Sequence, residues 1–127
     1  MSGRVIAGIG CRRNCSTEDI VSVVSRASAE TGMLVHILAA PAFKSNEAGL
    51  HEAARQLGVP LILIDVAALL AVQEHCVISS SRAEQVTGVA SIAEGCALAA
   101  AGAGGRLLLA RIASRTATCA LAAEAQA

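Results

Sequence analysis

Short aliphatic runs alternate with stretches whose apolar residues recur every three to four positions, and this alternation limits the fold more than any other feature. Val5-Ile6-Ala7-Gly8-Ile9-Gly10 is the first run; it ends in glycines and reads as a buried strand over 4–10. Ser16 then caps a helix, with Asp19 three positions on as a weaker form of the capping box. Ile20, Val23, Val24 and Ala27 make one stripe at i, i+3, i+4 and i+7, and Gly32 stops it. Residues 34–40 read as the second strand, halted by Pro41, and 42–46 as a polar loop. Ser45 or Asn46 caps the next helix, whose stripe is Leu50, Ala53, Ala54 and Leu57 and whose stop is Gly58. A third strand over 61–64 and a short helix over 66–72 follow. Ser81-x-x-Glu84 and Ser91-x-x-Glu94 are capping boxes that predict two further helices, one ended by Gly88 and one running to about Ala101. Strands over 106–112 and 116–121 close the pattern, with 113–115 short enough for a hairpin, and 122–127 reads as a frayed tail.

Strand–helix–strand–helix–strand with a terminal hairpin predicts a single three-layer α/β/α domain over 1–127, with a mixed, mostly parallel sheet of about five strands. The 127 residues hold 28 alanines and 33 valines, isoleucines or leucines, against one phenylalanine and no tryptophan or tyrosine. The core is therefore aliphatic and closely packed through alanine. Aromatic platforms for stacking bases are absent, and ten basic residues balance ten acidic ones, so no excess charge exists to neutralise phosphates. Nucleic acid is not an expected partner. Neither is a membrane: no apolar run reaches the roughly 18 residues of a bilayer span, and the longest stretch, 59–72, is interrupted by Asp65. No secretory signal precedes the first strand, and the five cysteines, an odd number, predict a reduced, cytoplasmic protein. Cys11-x3-Cys15 is neither a zinc knuckle nor a redox C-x-x-C. His75-Cys76 adds ligand types without a defined geometry, so no metal is expected.

In such sheets ligands sit beyond the carboxyl ends of the strands. That rule selects the loops over 10–16 and 41–46, the segment from Asp65 onward, and the turn before Ser91. Gly8-x-Gly10 suggests a dinucleotide site, but Arg13 stands where a third glycine belongs. The second strand ends Ala39-Ala40-Pro41 rather than in an acidic residue, and no P-loop pattern is present. No cofactor is predicted. Arg12 and Arg13, beside Gly10 and Cys11, precede a helix N-terminus and suit an anion, or else form a solvated surface pair. Lys44 suits a carboxylate or phosphate. Glu47 is equally what helix-dipole stabilisation selects. Thr87 and Ser91 offer hydroxyls near exposed amides, although capping alone explains Ser91 and Glu94. His36, His51 and His75 are scattered and form no triad.

Four blocks in order carry a resemblance that spans nearly the whole chain. They are Val5-Ile6-Ala7-Gly8-Ile9-Gly10-Cys11-Arg12-Arg13 with Ser16-Thr17-Glu18-Asp19-Ile20, Lys44-x-x-Glu47-x-Gly49-Leu50, Thr87-Gly88-Val89-x-Ser91-Ile92-Ala93-Glu94, and Thr116-Ala117-Thr118-Cys119-Ala120-Leu121-Ala122. Together they resemble the CobE/CbiG C-terminal family of cobalamin (vitamin B12) biosynthesis. The resemblance implies a protein of the corrin ring pathway that binds a precorrin or corrinoid, with other enzymes of that pathway as further partners. Longer members resemble hydrolases that open the δ-lactone of cobalt-precorrin-5A and release acetaldehyde. The N-terminal portion of those members is not in this sequence, which implies the stand-alone CobE type. Where the family commonly has Pro-Lys-type residues at the end of the penultimate strand, this chain has Leu109-Ala110-Arg111, so Arg111 keeps the charge. Ala42-Phe43 stands where an acidic residue is common.

On this reading Arg12, Arg13, Lys44 and Arg111 pair with the carboxylates of a flat macrocycle, aliphatic side chains take its face, and Thr87 and Ser91 hydrogen-bond a carboxylate or lactone oxygen. Glu47 or Glu94 would be the general base of any hydrolytic step. Three readings stand at this point: a binder of a corrin intermediate, a precorrin lactone hydrolase, and an unrelated phosphate-ligand α/β domain.

Overall fold

The computed structural model describes residues 3–72 and 92–125. Five strands, β1 (Val5–Cys11), β2 (Ile37–Pro41), β3 (Leu61–Ile64), β4 (Arg106–Ala113) and β5 (Ala117–Ala123), form one sheet in the order β3-β2-β1-β5-β4. β1, β2 and β3 are parallel, and β5 runs antiparallel to both β1 and β4. Four strands therefore end at the same edge, and β5 starts there. Helices α1 (Thr17–Thr31) and α2 (Ala48–Leu57) cover one face, and α3 (Val66–Val72) and α4 (Ile92–Ala101) cover the other. This is the mixed α/β sheet that the alternating pattern predicts. The helix expected between Ser81 and Gly88 lies outside the described residues.

Strand pleating sorts the aliphatic side chains between two cores. Val5, Ala7, Ile9, Leu38, Ala40, Cys119 and Leu121 face α1 and α2, meeting Ile20, Val23, Val24 and Ala27, and Leu50, Ala53 and Ala54. Ile6, Ile37, Ala39 and Ala122 face the other way, toward Leu69, Cys96, Ala97, Leu98 and Ala101. Cys96 and Cys119 are buried apolar side chains, as their neighbours in sequence suggest.

Local chemistry sets the element ends. Ser16 is the N-cap of α1, its Oγ accepting the Asp19 amide proton at 3.0 Å, and left-handed Gly32 ends the helix. The cap of α2 is Glu47 rather than Ser45 or Asn46. The reason is local: Ala42–Lys44 forms a 3-10 turn and Ser45 is still right-handed helical, so the chain first extends at Glu47. β2 starts at Ile37, three residues later than expected. His36 sits just outside it, its Nδ1 accepting the Val5 amide proton at 3.0 Å. β5 reaches Ala123, so Ala122 and Ala123 are paired with β1 rather than frayed. An ion pair, Arg4 Nη2 to Glu124 Oε2 at 2.8 Å, fastens the end of that pairing.

The tightest packing is between α4 and β1. A β-carbon on Gly8 would overlap the carbonyl oxygen of Ala93 and lie 2.6 Å from the Ala97 nitrogen. The helix rests on bare strand backbone, which places its first turn at the carboxyl end of β1. Gly8→Ala is expected to lower unfolding stability by about 3 kcal/mol, the upper range for overpacking, because the obstruction is backbone and cannot rotate away. Urea denaturation measures this; a loss no greater than that of an exposed substitution would contradict the packing.

Candidate functional site

A cleft of about 320 Å³ opens beyond the carboxyl end of β1. Its walls are the β1–α1 loop, the β4–β5 turn and the first turn of α4. Gly10, Cys11 and Arg12 line one side, and Arg111, Ser114, Arg115, Thr116 and Thr118 the other. Ile92, Ala93, Ala113 and Ala117 supply apolar surface. No carboxylate or imidazole lines it among the described residues.

Each wall is held from behind. The Arg12 amide donates to the Thr116 carbonyl at 3.0 Å and joins loop to hairpin. The Thr116 hydroxyl donates to Asp19 Oδ2 at 2.7 Å, and the Ser114 hydroxyl to the Asp19 carbonyl at 3.0 Å. Arg26 Nη1 donates to the Ala113 carbonyl at 2.9 Å. Asp19, read as part of a capping box, thus anchors the hairpin to α1.

Arg111 is placed by a β-bulge. Leu109 pairs with Leu121 and Ile112 with Cys119, so Ala110 and Arg111 stand opposite Ala120 alone. The Arg111 amide instead donates to Glu94 Oε2, at 3.3 Å. Glu94 is fully buried on α4, behind the cleft rather than in its lining.

The guanidinium groups of Arg12, Arg111 and Arg115 make no ion pair or side-chain hydrogen bond among the described residues. Arg4, Arg26 and Arg55, by contrast, are engaged by Glu124, the Ala113 carbonyl and Glu52. Arg13, Lys44 and Arg106 make none either among the described residues, but Arg12, Arg111 and Arg115 are the ones that share a cleft.

A second cluster occupies the other side of the β1–α1 loop. Glu47 Oε1 accepts the amide proton of Asn14, a residue at φ 60°, at 2.8 Å. A β-carbon on Gly49 would overlap the Cys15 carbonyl, so α2 begins in direct contact with this loop. Cys11 packs beside Cys15, close enough to Lys44 and Glu47 to feel both charges. Burial first, then hydrogen bonding to the Cys15 thiol, pushes Cys11 up to about 12; Lys44 opposes and Glu47 adds. Burial alone pushes Cys119 up to about 12.

Of the residues singled out from sequence, Gly10, Cys11, Arg12 and Arg111 meet at the cleft. Arg13 is exposed and outside its lining, Lys44 and Glu47 sit across the loop, and Thr87 and Ser91 lie outside the described residues. Ser114, Arg115, Thr116 and Thr118 were not singled out as site residues. Their signal is a polar, basic turn between two apolar strands, and it becomes a site only once β4 is known to run parallel to β1. No group of three His, Cys, Asp or Glu residues suited to a metal, and no helix long and apolar enough to cross a membrane, occurs among the described residues.

Residues 5–122 match the family model described as cobalamin synthesis G C-terminus. The chain belongs to this family. It is 31% identical over 124 residues to Protein CobE of Sinorhizobium sp., covering 95% of this chain and 80% of that one. The crystal structure of CobE, a protein from the cobalamin biosynthetic pathway, superposes with a TM-score of 0.87 at 36% identity, covering 95% of this chain and 90% of the other. The cobalamin biosynthesis protein chiG from Agrobacterium tumefaciens superposes at 0.79, also at 36% identity, over 96% and 99% of the two chains. The expected family and fold are both borne out, and the protein belongs to cobalamin biosynthesis.

The raised thiol values have a direct readout. The thiolate is the species that alkylates, and a raised pKa keeps Cys11 and Cys119 protonated at pH 8. Iodoacetamide is expected to modify both at least about a hundredfold more slowly in the folded protein than in urea, at a rate still rising above pH 10. A rate that levels off near pH 9 in the folded protein would contradict the assigned environment.

Proposed function

We propose that the protein binds a precorrin or corrinoid intermediate at the cleft beyond β1, and holds it for other enzymes of the pathway in the cytoplasm. The observation that carries this reading is the convergence of Arg12, Arg111 and Arg115, without partners among the described residues, around an apolar floor. Corrin intermediates are flat, largely apolar rings fringed with carboxylates, so they match both features. Guanidinium groups pair with carboxylates through two parallel hydrogen bonds, which a lysine cannot reproduce. The ring face would meet Ile92 and Ala113, with Ala93 and Ala117 buried beneath them. Stacking is not the mode, since Phe43 is the one aromatic residue and lies outside the lining.

Among the described residues, holding is better supported than turnover. A lactone hydrolase needs a base within hydrogen-bonding reach of the attacking water. Glu47 is engaged with the Asn14 amide across the loop, and Glu94 is buried behind Arg111. Membership of the family removes the third reading, an unrelated phosphate-ligand domain.

Absorbance titration with cobyrinic acid tests the proposal. A saturable shift of the ring spectrum is expected, weakened about tenfold or more in Arg12→Ala and in Arg111→Ala, the loss of one charge-assisted contact in each case. A folded protein that gives no shift with cobyrinic acid or with its metal-free counterpart would overturn the reading.

A further inference from the structure

We propose that the cleft is an edge clamp: Arg12, Arg111 and Arg115 select free carboxylates over amides on one rim of the ring, and most of the macrocycle stays outside. This rests on the ring-binding reading and sharpens it. The first argument is size. The cleft encloses about 320 Å³, at the low end of the roughly 300–1,000 Å³ clefts that bury drug-sized ligands. A corrin with its side chains is larger than such ligands, so one edge enters and the rest remains available to a second protein.

The second argument is the polarity of the donors. Arg12 stands on the loop wall, and Arg111 and Arg115 on the hairpin wall, so neighbouring rim groups meet cations from both sides. The cleft's threonines compete in the opposite sense. The Thr116 hydroxyl proton is given to Asp19 at 2.7 Å and the Thr118 proton to the Gly10 carbonyl at 3.3 Å, so both oxygens present lone pairs. A side-chain amide could donate to those lone pairs, whereas a carboxylate could not. Charge-assisted hydrogen bonds are roughly twice as strong as neutral ones. The Ser114 hydroxyl, its proton given to the Asp19 carbonyl at 3.0 Å, is a third acceptor, and three guanidinium groups outweigh three hydroxyl acceptors, so the acid wins. The clamp thus favours a ring before its side chains are amidated, which places the protein upstream of amide-forming reactions.

Parallel titrations with cobyrinic acid and cobinamide, whose rim carboxylates are amidated, test the clamp. The acid is expected to bind at least tenfold more tightly at 50 mM salt, and raising the salt should weaken the acid and leave the amide unchanged. Arg115→Gln should bring the two affinities together. Arg115→Lys should recover part of the difference, and Arg106→Gln, the same charge change at the far end of β4, should leave it intact. Circular dichroism establishes that each variant is folded. Equal affinity for the two rings, or an Arg106→Gln effect equal to that of Arg115→Gln, overturns the clamp while ring binding stands. Failure of both rings to bind removes both proposals.

Discussion

The contact of α4 with the bare backbone of Gly8 is the constraint on which the rest of the arrangement depends. β1 is the central strand, paired on one side with β2 and on the other with β5. A side chain at Gly8 would lift α4 off the sheet at the Ala93 carbonyl and the Ala97 nitrogen. With glycine there, the helix lies close enough for Ala97 and Cys96 to join Ile6 and Ala39 in one core. Interiors pack to crystal-like density, so the close seating leaves room only for small residues where α4 meets Gly8, and Ala93 and Ala97 stand there. The same seating carries Ile92 and Ala93 to the end of β1, where they become the floor of the cleft.

Around that floor, the β1–α1 loop acts as a hub. Arg12 is bonded through its amide to the hairpin, Asn14 to Glu47 at the start of α2, and the chain turns back through Cys15 N–H to the Arg12 carbonyl at 3.1 Å. Asp19 joins the first turn of α1 to the hairpin a second time. The backbones that carry Arg12 and Arg115 are thus set before any ligand arrives, which limits the ordering cost of binding. Three cations held without counter-charges repel one another. Exposure to solvent screens that repulsion, and a polyanionic ligand would relieve it.

Much of this was legible in the sequence, for identifiable reasons. The periodic stripes of α1 and α2 mark helices whose buried faces spacing alone located, and the run Leu61–Ile64 marked β3 by its aliphatic composition, although Ile62 and Leu63 are exposed. Gly32 and Gly58 marked helix ends because both are left-handed. The start of α2 was misplaced because a 3-10 turn over Ala42–Lys44 keeps Ser45 helical, and side-chain capping preference does not register a backbone that has yet to extend. The site was half visible: Arg12 stands in the first block, Arg111 keeps the charge at the end of the penultimate strand, and Thr116 and Thr118 stand in the fourth block but, like Arg115, acquire meaning as site residues only from strand order. Nothing in the spacing of residues 106–123 says that β5 inserts between β1 and β4. Asp19 was read through its nearest helix cap, while its decisive partner, Thr116, is 97 residues away.

The central claim is that ligand engages the edge of the sheet where β1 ends and the β4–β5 turn begins. Amide chemical-shift mapping of the folded protein during titration with cobyrinic acid tests it most directly. The account predicts shifts concentrated at Gly10–Arg12, at Ile92 and Ala93, and from Arg111 to Thr118, with the opposite edge of the sheet around Leu34 and Arg106 unmoved. Perturbations centred on that opposite edge, or spread evenly over both helical layers, would contradict it.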